Sequence, residues 1–347
     1  MINMINNTSA RVQANSIWVT VKSSFSDEVM SLLLTNICVK GIRFNLSKES
    51  DMFMLNKKIN YIHTLYPNKR IMIDFGGSKQ RIKLKKDIIK LKDNELCVLV
   101  NSDNFNSQPL TQIGISDLLF KYIQQNSVEG DDILISDGWQ QLRIKEVKKN
   151  NILCNSKFDC EIYNQRGISV KGIYDFIDHD FSKDIEKYNA LEHITDVAIS
   201  FTNNSKMILN INQLVEPNIN VIAKIESCNG LKNLVDIVEV SDEIMIARGD
   251  LLVELFYYGL NILKAEEYIY RCCALYNKPY IIATRIADSL ETADEMTFEE
   301  TIVLYNNLLR YPGTTFLLAN ETSFDESRSV KNLTKVVDRI NMIKNCL

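Results

Sequence analysis

The stretch "EIMIARGDL" (243–251) carries an apolar run, Ile244 to Ala247, straight into Arg248, Gly249 and Asp250. A short continuous run of this kind suits a parallel strand buried on both faces. Opposite charges at the end of such a strand need a ligand, an ion or one another. Seven further runs share the pattern: "SIWVTV" (16–21), "GIRFNLS" (41–47), "RIMIDF" (70–75), "DVAISF" (196–201), "NVIAKIE" (220–226), "PYIIAT" (279–284) and "TTFLLANET" (314–322). Amphipathic stripes lie between them, among them Met52, Leu55, Ile59 and Ile62, then Ile262, Ala265, Ile269 and Cys272. A third opens with a capping box, Thr297 and Glu300, before Ile302, Tyr305 and Leu309; the last is Val330, Leu333, Val337 and Ile340. Eight strand–helix units predict an α/β chain folded as a (β/α)8 TIM barrel.

One interval breaks the rhythm. Between the third and fourth runs, residues 82–169 hold strand-like pieces ("ELCVLV", "DILIS", "QLRIKEV", "NILCN") and few helical stripes. This predicts a small all-β domain inserted after the third strand, with the barrel made from 1–81 and 170–347. Without the insert about 260 residues remain, close to the ~250 of such barrels.

The bulk numbers exclude several classes. Forty Lys and Arg against 44 Asp and Glu give a net charge of −4, so no basic field attracts nucleic acid or an anionic membrane. No apolar run approaches a membrane span, and "MINMINNTSARVQ" lacks the basic and apolar segments of a secretory leader. The eight cysteines (Cys38, Cys97, Cys154, Cys160, Cys228, Cys272, Cys273 and Cys346) form no CxxC pair and read as buried thiols of a reduced, cytoplasmic chain.

Active sites of (β/α)8 barrels lie at the carboxyl ends of the strands. There the sequence places Arg43, Asn45 and Ser47, then Asp74 and Arg81, Lys224 and Glu226, Arg248 and Asp250, Thr284 and Glu321. Any one of these alone reads as a solvated loop charge or a structural ion pair; together they read as a site. Glu226 and Asp250 end consecutive strands, ~4.8 Å apart in a sheet, and all-oxygen ligation suits Mg2+ or Mn2+. Three scattered histidines argue against zinc. Lys224 shares the Glu226 face of its strand, and with Arg43 it makes an electropositive pocket fit for a phosphorylated, carboxylated anion. Gly249 lets backbone amides approach that anion, and Arg248 is expected to brace the loop through an ion pair.

The run "VIAKIESCNGLKNLVDIVEVSDEIMIARGDLLVEL" (221–255) closely resembles the signature region of the pyruvate kinase family. The likeness continues through "GIRFNLS", "IMIDFGGSKQRI", "DILISDG", "RGISVKG", "AISF", "KPYIIATRIADS" and "ANETS". It implies phosphoryl transfer from phosphoenolpyruvate to ADP, giving pyruvate and ATP through a metal-stabilised enolate. It makes Glu226 and Asp250 the Mg2+ ligands, Lys224 the stabiliser of the transferring phosphoryl group and enolate, and Arg43 the phosphate ligand. Gly249, Asp250 and Thr284 become the carboxylate cradle, with Thr284 near the enolate's protonation route. Asn45, Ser47 and Asp74 become monovalent-cation ligands, Arg81 and Arg166 nucleotide-phosphate contacts, and Asp137 the lid carboxylate that closes over metal and nucleotide.

The departures from the family pattern carry information too. Lys79 stands where the family has a glutamate, and its fixed charge is expected to replace K+. Phe75-Gly76-Gly77-Ser78, Asn203-Asn204, Leu252 and Arg285 also depart, and a chain without the family's C-terminal regulatory domain, and without the allostery that depends on it, is the expectation. Small-molecule substrates are the expected partners, and a homo-oligomer is compatible with the reading. The alternatives are a divergent metal-dependent enzyme that acts on phosphoenolpyruvate or another oxoacid with a different acceptor, and, less favoured, a non-catalytic binding protein of the same fold.

Overall fold

A computed structural model describes residues 16–103, 105, 109–177, 179–311 and 313–346. The stretch read for a leader, "MINMINNTSARVQ", lies outside them, as does the Cys346 side chain. The remaining seven cysteines are free thiols, six of them buried. The chain forms two compact units. One comprises the residues up to Gly77, Asp180–Arg248 and those from Leu263 onward; the other comprises Ser78–His179 and Gly249–Ile262.

In the first unit eight parallel strands close into a barrel: Ile17–Val21, Val39–Asn45, Arg70–Phe75, Asp196–Ile199, Asn220–Ile225, Glu243–Ala247, Tyr280–Ala283 and Thr315–Leu318. They occupy the eight expected runs. Each pairs with its neighbours in chain order, and the first closes the ring on the eighth. The sixth strand stops at Ala247, where Arg248 begins the helix Arg248–Tyr257.

The barrel interior explains where the polar residues go. Trp18, Met72, Ala198, Ile222, Met245, Ile281, Ala283 and Leu317 form one buried apolar cluster. Gly41 is paired with Trp18 in the register, and a Cβ on it would lie 2.6 Å from the indole ring. Side chains along a strand alternate faces, so the residues two positions further on share this interior side. These are Thr20, Arg43, Asp74, Ser200 and Lys224, a polar layer on an apolar floor. Two positions earlier come Arg70, Asp196 and Glu243. Arg70 Nε donates to Asp196 Oδ2 at 2.8 Å, and Lys40 Nζ to Glu243 Oε1 at 3.1 Å. Burial raises both carboxyls, and the Arg70 and Lys40 charges oppose that rise. Charge at this amino-terminal end of a barrel belongs to stability rather than catalysis.

The helical stripes behave as expected with one exception. Leu55, Ile59 and Ile62 are buried on Met52–Leu65, as are Ala265, Ile269 and Cys272 on Ile262–Leu275. The capping box forms, with Thr297 Oγ1 accepting from the Glu300 N–H and the Glu300 carboxylate from the Thr297 N–H. The stripe after it points the other way from the expectation. Ile302, Tyr305 and Leu309 are exposed, and Leu304 and Asn307 turn inward on the helix Phe298–Arg310. That helix is apolar on two faces, and periodicity alone does not choose between them.

The second unit is wider than 82–169 and takes in the segment after Arg248, so four chain crossings join the units instead of two. It contains a six-stranded sheet and a two-stranded sheet. It is not all-β. The helix Asp117–Asn126, capped by Ser116, buries Leu119, Phe120, Tyr122 and Ile123. Among the described residues no helix is long and apolar enough to cross a membrane.

Candidate active site

Four charged side chains of the barrel meet at the carboxyl ends of its strands. Arg43 binds the Asp74 carboxylate through Nε at 2.9 Å and through its second terminal nitrogen, and donates to Thr20 Oγ1 at 3.0 Å. Lys224 Nζ lies 3.1 and 3.3 Å from the two Asp74 oxygens, 2.8 Å from Ser200 Oγ and 3.3 Å from Glu226 Oε1. Glu226 Oε2 accepts the Phe201 N–H at 2.7 Å. Asp74, Lys224 and Glu226 are all buried. Burial pushes the Asp74 carboxyl up, but the Arg43 and Lys224 charges outweigh it and hold it at about 2. Two fixed cations therefore share the ionised Asp74 carboxylate, and Glu226 beside Lys224 is the second carboxylate of the cluster. Thr20, Ser200 and the Phe201 N–H do not stand out in the sequence. The same-face alternation beyond the apolar layer is the signal that finds the first two.

Backbone strain marks the same end of the barrel. Phe201 follows the fourth strand with φ +50°, and Thr284 and Arg285 follow the seventh with φ +64° and +53°. A β-branched threonine in the left-handed region is an outlier, and such residues cluster at functional sites. Arg248 holds this turn. It is buried, donates to the carbonyls of Thr284 at 3.0 Å and Arg285 at 2.7 Å, and lies 3.7 Å from Glu266. Burial lowers the guanidinium's pKa and the Glu266 charge restores part of it. The bracing role expected of Arg248 is present, with backbone carbonyls as its main partners. Nearby, Glu321 accepts the N–H groups of Ala319 at 2.6 Å and Ala287 at 3.4 Å. Full burial and the Asp288 charge push its carboxyl to about 8.

The remaining candidates divide between the units. Asn45 and Ser47 stay together in the barrel, with Ser47 Oγ donating to Asn45 Oδ1 at 2.7 Å. In the second unit Lys79 Nζ binds Asp250 Oδ2 at 2.6 Å and lies 3.9 Å from Asp137 Oδ1. No sequence pattern links these residues. Gly249 directly precedes Asp250 in this unit. Arg81 donates to the Gln165 carbonyl at 3.1 Å, and the Arg166 guanidinium lies 5.7 Å from the Tyr163 ring centre. Among the described residues no group of three or more His, Cys, Asp or Glu is arranged to hold a metal ion. Taken each by itself, Glu226 in the barrel and Asp250 in the second unit offer carboxylate oxygens of the kind a hard divalent cation takes. Each carboxylate already has an ammonium beside it, Lys224 and Lys79 respectively, which shows the demand for positive charge at both.

Fold and site define a (β/α)8-barrel protein with a β-rich insert after the third strand and a cation-balanced mouth. The family model described as pyruvate kinase, barrel domain, matches residues 16–324. The chain belongs to the pyruvate kinase family. It is 31% identical over 270 residues to the pyruvate kinase of Mycoplasma genitalium, covering 73% of this chain and 51% of that protein. It is 29% identical over 269 residues to that of Thermotoga maritima, covering 74% and 56%. The chain thus spans about half the length of the curated relatives it matches. The solved structure of Cryptosporidium parvum pyruvate kinase in complex with ADP shares the fold, with TM-score 0.82 at 22% identity, over 99% of this chain and 70% of that one.

Proposed function

We propose that this chain transfers the phosphoryl group of phosphoenolpyruvate to ADP, forming pyruvate and ATP. The observation that carries the reading is the network that joins Arg43 to the buried Asp74, Lys224 and Glu226 at the barrel mouth. Arg43, fixed by Asp74 and Thr20, presents its remaining donor capacity to the substrate phosphate. Lys224, held between Asp74 and Ser200, supports the oxygen that gains negative charge as the phosphoryl group leaves. Thr284, in its left-handed turn, and the Gly249 and Asp250 amides take the substrate carboxylate. The bond from phosphorus to the enol oxygen breaks, one to the terminal ADP oxygen forms, and the enolate carbon takes a proton along the Thr284 side. Arg81, Arg166 and Asp137 serve the nucleotide. A bound Mg2+ or Mn2+ would supply charge neutralisation and orientation of substrate oxygens, with Glu226 and Asp250 as its protein ligands.

The reaction is proposed to be independent of K+. Asp74, expected as a monovalent-cation ligand with Asn45 and Ser47, already faces Arg43 and Lys224. A third cation beside them would be repelled. The fixed charge of Lys79 was the expected substitute for K+, and its observed partner is Asp250.

The test is coupled detection of pyruvate from phosphoenolpyruvate with Mg2+, with and without each nucleoside diphosphate. The reading requires Mg2+- and nucleotide-dependent pyruvate. A second reading, a different acceptor or another oxoacid, draws on the altered residues Phe75 to Lys79, Asn203, Asn204, Leu252 and Arg285. Metal-dependent pyruvate release with no response to any nucleoside diphosphate would select it. No turnover, with an intact fold, would select a binding role.

A further inference from the structure

The Lys79–Asp250 pair lies wholly within the second unit and joins a lysine to a carboxylate already assigned to the divalent ion. Lys79 Nζ is 2.6 Å from Asp250 Oδ2. The two side chains are only 20% and 19% exposed, and Asp137 adds a second carboxylate at 3.9 Å. The lysine stem runs beside the backbone of Gly167, where a Cβ would lie 3.0 Å from Lys79 Cε. A bare glycine there leaves room for the stem on its way to Asp250. A loop lysine normally extends into solvent; this one is drawn against two acids.

We propose that Lys79 is a built-in counter-ion for Asp250 that sets the affinity of the divalent-metal site. With no metal bound, its ammonium neutralises the carboxylate. An arriving Mg2+ or Mn2+ must displace or share that ammonium, so the observed affinity is the intrinsic affinity reduced by the strength of the ion pair. A part-buried pair at this distance is worth more than an exposed one and less than a fully buried one, which corresponds to about a tenfold change in affinity. Lys79 is thus a positioning and tuning residue that acts through Asp250. The inference rests on Asp250 being a metal carboxylate.

The experiment measures Mn2+ affinity of the full chain, without substrates, from the paramagnetic resonance signal of free Mn2+. The variants are Lys79→Arg, Lys79→Met and Lys79→Glu. Lys79→Arg should stay near wild type, Lys79→Met should bind about tenfold tighter, and Lys79→Glu tighter still. Metal-free Lys79→Met should melt lower than wild type and gain more from saturating Mn2+. In an Asp250→Asn background the effect of Lys79→Met should vanish, because the partner is gone. Affinities that do not follow the charge at position 79, or no Mn2+ binding by any variant, overturn the proposal. The pyruvate assay separates the two readings. Flat affinities beside Mg2+-dependent turnover refute the role of Lys79 alone. Charge-ordered affinities without turnover refute the reaction alone.

Discussion

Lys224 places its ammonium 3.1 Å from Asp74 Oδ1, although the two residues stand 150 positions apart in the chain. The contact spans neighbouring parts of the barrel mouth and is closed on one side by Arg43 and on the other by Glu226. Its consequence is a lysine with a fixed direction. A free lysine would lose rotamer entropy on binding an anion; this one has lost it on folding.

Glu226→Gln tests the metal carboxylate with little disturbance of the fold. The amide oxygen can still accept the Phe201 N–H, and Lys224 keeps Asp74 and Ser200. Turnover should fall by several kcal/mol of transition-state stabilisation, at order-of-magnitude level, while the thermal melt stays within a few degrees of wild type. A variant that retains activity, or that no longer folds, contradicts the assignment.

Potassium should be dispensable. Pyruvate formation in a buffer with tetramethylammonium as the only monovalent cation should match that in potassium. A requirement for K+ would mean that Asp74, despite Arg43 and Lys224, still recruits a third cation.

Glu321 predicts a pH effect on stability. Its folded carboxyl is raised to about 8 by burial and by Asp288, above its ordinary value of 4.5. The folded state therefore holds a proton that the unfolded state has released. Its contribution is fully present below about 4.5 and is lost as pH rises through about 8. Glu321→Gln cannot titrate, so its loss of stability between pH 5 and pH 9 should be smaller than that of wild type by a few kcal/mol. Urea midpoints at both pH values measure it; parallel pH profiles would remove Glu321 from the account. Asp74 acts in the opposite sense: its contribution is present above about 3.8 and is lost as pH falls towards about 2.

Gly41→Ala should destabilise the barrel without touching the charged network directly. The new Cβ would lie 2.2 Å from the Arg70 carbonyl oxygen and 2.6 Å from the Trp18 ring. The carbonyl belongs to a paired strand and cannot retreat cheaply, so the cost should be about 1–3 kcal/mol or more. A denaturation midpoint equal to wild type would show that strand and indole adjust freely.

Much of the site is legible in the amino-acid order, because strands carry their own positional code. Apolar runs of the right length locate the eight strands, and the alternation of faces places Arg43, Asp74 and Lys224 on one interior side. Local chemistry is legible on the same terms. The Thr297–Glu300 capping box forms as expected, since its partners are three residues apart and need only one another.

Other features were decided by contacts that no local pattern encodes. The exposed face of Phe298–Arg310 depended on which face of the helix found the core, and that of Leu304 and Asn307 won over that of Ile302, Tyr305 and Leu309. Arg248 was legible as a brace, but its hold on the Thr284 and Arg285 carbonyls depended on a turn that follows the next strand. Lys79 is a neighbour of the Asp74 region by sequence distance and instead finds Asp250, 171 residues away. The sequence by itself determined the strand order, the inward-facing polar layer and the charges available to it, because these follow from a two-residue period and a chain order that each strand carries locally. Which cation meets which carboxylate was settled only by the tertiary structure, since an ion pair is chosen by distance and burial after the chain has closed.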